Sequence, residues 1–380
     1  METKKSIEIV TGKNVPRIDG PLKVSGKAHY TSDFQFDRMV FAVPVGATIA
    51  KGKLTKLDTS TAEKMKGVVG VYTRANIGAI YRPTEEEGFA YKSSEPRPPF
   101  EDDTIRYYGQ FIAVVVAETF EIAQAAARSV TAKYDAQKPS LSDDLQQEDM
   151  KKKDTARGDA GKAFQSAPVK IDHVYVTPTE VHNPIEMHAT VAVWDFDGPT
   201  EKVTLYETSQ AVGTHRNVMA QVLGLPKESV RVISHFLGSG FGGKLWPWPH
   251  SALAAATARK LRRPVKLVLD RQMMFMNSGH RPRTQQRIQL SADSSGRLVS
   301  LQHDYASQAS PLEDYKENCG EVSGFMYKVP NVLVTSGVAR RNHSVPTSMR
   351  GPGAVPGLFA LESAMDELAV ALKMDPVQLR

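Results

Sequence analysis

Along residues 17–137, short apolar runs alternate with polar turns and culminate in FIAVVVAET, a continuous β-branched run of the kind a strand buried on both faces carries. FEIAQAAARSVTAKY follows at helical spacing, with Thr119 where an N-cap belongs. The pattern predicts one mixed α/β unit. Residues 138–168, which include LQQEDMKKKDTARGDAGKA, hold few large apolar groups and predict a surface linker.

From residue 169 the period keeps switching. Alternation over Asp172 to Val176, then ATVAVWDF and VTLYE, predict strands, and QAVGTHRNVMAQVLG predicts a helix stopped by Gly224. Strand VRVISHF, a glycine-rich turn, helix HSALAAATARKL and strand PVKLVLD follow, so the segment contains a βαβ unit. TQQRIQLSADSSGRLVSLQHDY reads as a hairpin turning at Ser294, Ser295 and Gly296, NVLVTSGVARRN as a strand and LFALESAMDELAVAL as a helix. MDPVQLR predicts no element and reads as a stop in mid-domain. The expected architecture is α/β, mixed α+β: a first domain at 17–137, a linker at 138–168 and a second, incomplete domain at 169–380.

Composition narrows the function. Hydrophobic residues at 41% and charged residues at 24% of 380 describe a globular chain, and AVVVAETFEIAQAAA is interrupted by Glu118 and Glu121, so no membrane span is expected. METKKSIEIV lacks a basic stub, apolar core and cleavage site, so no secretory signal is expected and the cytoplasm is the expected compartment. A net charge of +6 comes from basic residues scattered among 42 acidic ones, which argues against nucleic acid as a partner. Cys319 is the single cysteine; it excludes an internal disulfide and cannot supply the thiolates of an iron–sulfur cluster.

The densest chemical signal is GSGFGGK, Gly238 to Lys244. Four glycines in so short a run mean positive φ or a close backbone approach, and amides ahead of a helix suit an anion. Gly238, Gly240 and Gly243 satisfy a dinucleotide fingerprint, with Asp270 about 27 residues on instead of about 20. Gly238, Gly243 and Lys244 satisfy most of a triphosphate loop, but Leu245 stands where a magnesium-binding Ser or Thr belongs. A plain packing turn is the third reading. A second loop, SMRGPGAVPG from Ser348 to Gly357, is fixed by Pro and Gly and carries Arg350 as its one charge. His182, Glu186 and His188 could be read as a metal cluster, although Pro184 and the six-residue histidine spacing match no zinc pattern. Trp246 and Trp248 suit either core or a pocket wall. Met273, Met274 and Met276 suit a core gap.

RIDGPLKVSGKAHYTSDF, HNPIEMHATVAVW, YETSQ, GSGFGGK and MRGPGAVPGLFALESAMDELA, in that order, resemble the xanthine dehydrogenase and aldehyde oxidase family of molybdenum hydroxylases. The resemblance runs from about Arg17 to Arg380 and is narrowest to the large subunit of bacterial periplasmic-type aldehyde oxidoreductases. It implies a hammerhead-like α/β domain followed by the first molybdopterin-binding domain. It implies, too, that GSGFGGK holds molybdenum and pterin instead of NAD, through Gly240, Phe241 and Gly242. Gln210 would bond an oxygen on molybdenum, and Arg350 would face the metal with its backbone. Gln210, Phe241 and Arg350 would thus surround the metal without ligating it. Leu245 and Trp246 would line the substrate pocket.

The implied reaction oxidises an aldehyde to a carboxylic acid with water as the oxygen source. Its general-base glutamate belongs to a second molybdenum domain expected beyond Arg380, so no catalytic residue is assigned in this chain. The implied cofactor is molybdopterin in its cytosine dinucleotide form with molybdenum, and FAD and 2Fe-2S clusters would sit on partner subunits. A separate chain could carry the second molybdenum domain; otherwise the chain is a truncated fragment. Export in a folded state with a partner would make the compartment periplasmic. The sequence departs from the family at Ser239, usually glycine, at Met187, commonly proline, and at Leu245, where purine-oxidising relatives carry glutamate.

Overall fold

The computed structural model describes residues 12, 14–84, 95–145 and 149–380. The reading of METKKSIEIV and residues 146–148 of the expected linker lie outside the described residues. The described strands are β1 Val40–Gly46, β2 Gly52–Asp58, β3 Val68–Tyr72, β4 Thr104–Ile105, β5 Phe111–Ala117, β6 Thr131–Ala136, β7 Asp149–Arg157 and β8 Val169–Thr177. They continue with β9 Ala189–Asp195, β10 Lys202–Glu207, β11 Val230–Ile233, β12 Val265–Val268, β13 Thr284–Ala292, β14 Leu298–Ala309 and β15 Asn331–Arg340. The helices are α1 Gly20–Val24, α2 Ser60–Glu63, α3 Phe120–Ser129, α4 Ala160–Ser166, α5 Val212–Leu223, α6 Pro249–Leu261, α7 Arg271–Asn277, α8 Ala354–Leu372 and α9 Pro376–Leu379.

FIAVVVA is β5, buried at all seven positions between β1 and β3, as a continuous β-branched run requires. Thr119 caps α3 by accepting from Ile122 N at 3.3 Å. The helix ends sooner than its spacing suggests. TAKYDA leaves it to form β6 against β2, because the Thr and Tyr alternation finds a strand partner, Leu54 opposite Tyr134.

The seven-stranded sheet runs β11-β10-β9-β12-β1-β5-β3. β1 from the first sequence unit pairs parallel with β12 from the second, Val40 opposite Val265, so the two expected domains share one sheet. VRVISHF and PVKLVLD, the strands of the expected βαβ unit, are β11 and β12, which β10 and β9 separate in the sheet; the adjacent parallel pair joined by a helix is β10–α5–β11, with Val203 opposite Val230. α5 and α6 cover this sheet through Val218, Met219, Leu253 and Ala254, packed on Val40, Val114, Leu205 and Leu267.

The second sheet, β7-β15-β14-β13-β8, corrects the linker expectation. Residues 149–157 form its edge strand and residues 160–166 form α4, capped by Asp159 and anchored by buried Phe164. An edge strand exposed to water needs few apolar residues, and DMKKKDTAR is charged as edges commonly are. β13 and β14 form the predicted hairpin, where Asp293 Oδ1 accepts from the amides of Ser295 and Arg297. α8 lies on β8 and β13 through Ala360, Leu361, Ala364, Met365 and Leu368. MDPVQLR is not structureless either: it carries α9, capped by Asp375 and packed through Leu379 on that core. Among the described residues, no helix is long and apolar enough to cross a membrane.

Candidate functional site

β11 ends at Ile233 and α6 begins at Pro249, so GSGFGGK does not open a helix. Four of its amides face protein. Gly238 N donates to Glu186 Oε2 at 2.8 Å, Gly243 N to Gly240 O at 2.9 Å, and Gly242 N and Lys244 N to Gln210 Oε1 at 3.0 and 3.2 Å. A phosphate would find those four donors occupied and no helix N-terminus directly behind the loop, which argues against both nucleotide readings. Asp270 is committed as well, capping α7 by accepting from Met273 N at 2.7 Å.

Two of the loop's glycines bear directly on the site, for separate reasons. A Cβ on Gly240 would collide with the Gln210 carboxamide, and one on Gly242, at φ +104°, with the carbonyl of Ser348. Ser239 and Phe241 adopt φ of 70° and 53° without that freedom. The loop is therefore held against its local preference by what surrounds it.

His182, Glu186 and His188 are part of that surrounding. His182 Nε2 lies 2.9 Å from Ser348 O and His188 Nε2 lies 3.0 Å from Gly243 O, which also accepts from Trp248 Nε1 at 2.7 Å. Burial pushes both imidazoles below their usual pKa, so each is a neutral N–H donor to a carbonyl. Among the described residues no group of His, Cys, Asp and Glu could hold a metal ion, which disposes of the metal-cluster reading. Lys244 is buried with its Nζ 3.0 Å from Glu186 Oε2.

Arg281 and Glu317 hold the second loop. Arg281 Nη2 donates to the carbonyls of Met349 and Arg350 at 3.2 and 2.6 Å, and Glu317 Oε1 accepts from Gly353 N at 2.6 Å. The loops meet where Arg350 N donates to Phe241 O at 2.9 Å. Gln210, Gly240, Phe241, Gly242 and Arg350 thus come together, with Gln210, Phe241 and Arg350 exposed. The Gln210 side chain is oriented by two backbone donors to its Oε1, and its Nε2 has no partner among the described residues. Leu245 and Trp246 are half-buried on the same loop, whereas Trp248 is buried core. Met274 is buried core too, beside partly buried Met273.

Sequence reasoning gave no structural place to Glu207, which is sealed beneath the loop with His215 Nε2 at 3.4 Å, His250 Nε2 at 3.5 Å and Thr190 Oγ1 at 2.7 Å. Burial alone would raise its carboxyl, but the neighbouring imidazoles hold it down to about 2. An acid ending the apolar strand VTLYE was the available clue.

A sheet shared by two sequence units, with two interlocked loops presenting an amide and backbone at its rim, defines the class. Residues 25–138 match the aldehyde oxidase and xanthine dehydrogenase a/b hammerhead domain and residues 142–380 match the molybdopterin cofactor-binding domain; the chain belongs to this family. It is 40% identical to an aldehyde oxidoreductase molybdenum-binding subunit of Escherichia coli over 98% of its own length and 50% of that protein's. It is 28% identical to a nicotinate dehydrogenase large molybdopterin subunit of Eubacterium barkeri, spanning 98% of this chain and 88% of that one. The crystal structure of an aldehyde oxidoreductase from Desulfovibrio gigas superposes with a TM-score of 0.82 at 25% identity, over 96% of this chain and 42% of that one. The chain thus spans about half the length of the Escherichia coli relative.

Proposed function

We propose that this chain is the first half of the molybdenum-cofactor subunit of a hydroxylase that oxidises aldehydes to carboxylic acids with water as the oxygen source. Gln210 is the observation that carries the reading. With Oε1 tied to the loop, its unpartnered Nε2 donates to whatever oxygen is bound at the loop's outer face. The residues fit an anionic group there: the buried acids behind the two loops, Glu186 and Glu317, are paired with Lys244 and Arg281.

When bound, molybdenum supplies the redox chemistry. The chain's own part is placement. Gln210 orients an oxygen of the cofactor, the backbone of Gly240, Phe241 and Gly242 backs the pterin, and the backbone at Arg350 closes the other side. Leu245 and Trp246 give the substrate an apolar wall. No general base is assigned among the described acids considered: Glu186 is paired with Lys244, Glu207 is buried between two imidazoles, and Glu362 accepts from Tyr327 and Arg380. That base belongs to a second molybdenum domain.

Molybdopterin takes its cytosine dinucleotide form in this reading, and electrons leave through 2Fe-2S clusters and FAD on partner subunits; Cys319, buried, cannot hold a cluster. The alternative reading is a non-catalytic fragment of the same subunit. The test compares molybdenum content and aldehyde turnover of the chain alone with those of the chain co-expressed with its genomic neighbours. Molybdenum and turnover are expected only in the assembly. Turnover by the chain alone with an artificial acceptor overturns the division of labour, and no molybdenum in either preparation overturns the cofactor reading.

A further inference from the structure

One carboxylate oxygen lies between both ends of the glycine loop. Glu186 Oε2 accepts from Gly238 N at 2.8 Å and from Lys244 Nζ at 3.0 Å, and Lys244 Nζ also donates to the Glu186 carbonyl at 2.9 Å. Glu186 N returns a bond to Gly238 O at 3.2 Å. The lysine side chain is 0% exposed and the glutamate 8%. A charged pair removed from water is a costly way to fill space, and an apolar pair would pack without that cost. What an apolar pair cannot do is fix two separate backbone points at once.

We infer that Glu186 and Lys244 are positioning residues, a buried clamp that holds the two ends of Gly238–Lys244 and so presents Phe241 and Gly242 to the bound cofactor in one geometry. The need for a clamp follows from composition. Four glycines in seven residues give the segment large conformational freedom, and Ser239 and Phe241 are held at positive φ against their preference. Gln210 fixes the loop's middle and far end through Gly242 and Lys244, leaving Gly238 to Glu186. The functional consequence rests on the cofactor reading above; the mechanical statement does not.

The test is amide hydrogen exchange in the purified chain, read over residues 234–248 and compared with β9, β12 and α6. In Glu186→Ala and in Lys244→Met, the loop amides are expected to exchange about tenfold faster while those three elements keep the parent's rates, as local opening requires. Glu186→Gln retains an acceptor for Gly238 N and is expected to recover most of that protection. Loop exchange within about twofold of the parent in both single variants, or acceleration spread evenly over β9, β12 and α6, overturns the inference. Where a single variant fails to fold, the pair Glu186→Gln with Lys244→Met leaves no unmatched buried charge and gives the same readout: a fast loop on a protected core supports the clamp, and a protected loop overturns it. Exchange requires no molybdenum, so an assembly that takes up none would overturn the cofactor reading and leave the loop result standing.

Discussion

Arg350 donates its backbone N–H to the carbonyl of Phe241 at 2.9 Å, and this bond joins the two loops of the site. The contact uses the main chain of Arg350, whose side chain is exposed. Arg350→Ala is therefore expected to shift unfolding free energy by less than about 0.5 kcal/mol, the range of ordinary surface substitutions. Urea denaturation measures it, and a loss of several times that size would show that the guanidinium supports the loop.

Gln210 separates structural support from cofactor contact. In Gln210→Glu the carboxylate still accepts from Gly242 N and Lys244 N but has no donor to offer. The melting temperature of the chain is expected to hold, while molybdenum content or turnover of the assembled enzyme falls by about tenfold or more, the value of one charge-assisted hydrogen bond. Equal activity in the variant would remove Gln210 from the site.

Two substitutions in the loop are expected to act in opposite directions. Gly242→Ala places a Cβ against Ser348 O at φ +104° and is expected to cost roughly 1–3 kcal/mol or more. Ser239→Gly relieves a side chain held at φ 70° and is expected to be neutral or stabilising by up to about 1 kcal/mol. Chemical denaturation of the two variants against the parent decides both.

The elements with strong periods were legible: β5, α5, α6, the β13–β14 hairpin and α8 all follow from apolar spacing. β7 and β6 were not, because a solvated strand is recognisable only through its partner, Val332 for Arg157 and Leu54 for Tyr134. The joining of the two sequence units through β1 and β12 was invisible for the same reason, being a contact over more than two hundred residues. At the site, the glycines were conspicuous but their causes were not. Gly240 answers to Gln210 and Gly242 to Ser348, both distant in sequence. His182, Glu186 and His188 were noticed as a possible metal cluster, yet their partners turn out to be loop carbonyls, a loop amide and a lysine.

Acid should unfold this chain in two overlapping windows. Burial depresses His303 to about 4 and His280 to about 3, below the unfolded value near 6.5. Both are neutral in the fold, so the unfolded chain binds more protons as pH drops. Their contribution is complete above about pH 6.5 and is lost as pH falls towards those values, on the order of 3 kcal/mol for His303. Glu207, held down to about 2, is likewise depressed, and its contribution disappears between about pH 4.5 and 2. Unfolding midpoints in urea should decline from pH 6.5 downward, and His303→Gln should flatten the part above pH 4. An unchanged slope would mean that His303 titrates normally.

Leu245 bears on substrate class. It follows the glycine loop directly, half-buried, with its N–H on Gly242 O at 3.3 Å. An apolar side chain there favours the ring or chain of an aldehyde and offers purine nitrogens no partner. Burying an unpaired polar group costs roughly 1–3 kcal/mol, about tenfold or more in rate for each group left unmatched. The assembled enzyme is accordingly expected to oxidise aromatic aldehydes well and hypoxanthine hardly at all. Leu245→Glu should lower aldehyde turnover, since a carboxylate in an apolar pocket is desolvated without compensation. The check is kcat/KM for benzaldehyde and hypoxanthine in both forms. Benzaldehyde oxidation unaffected by Leu245→Glu, or a parent enzyme that prefers purines, would show that the side chain does not face the substrate.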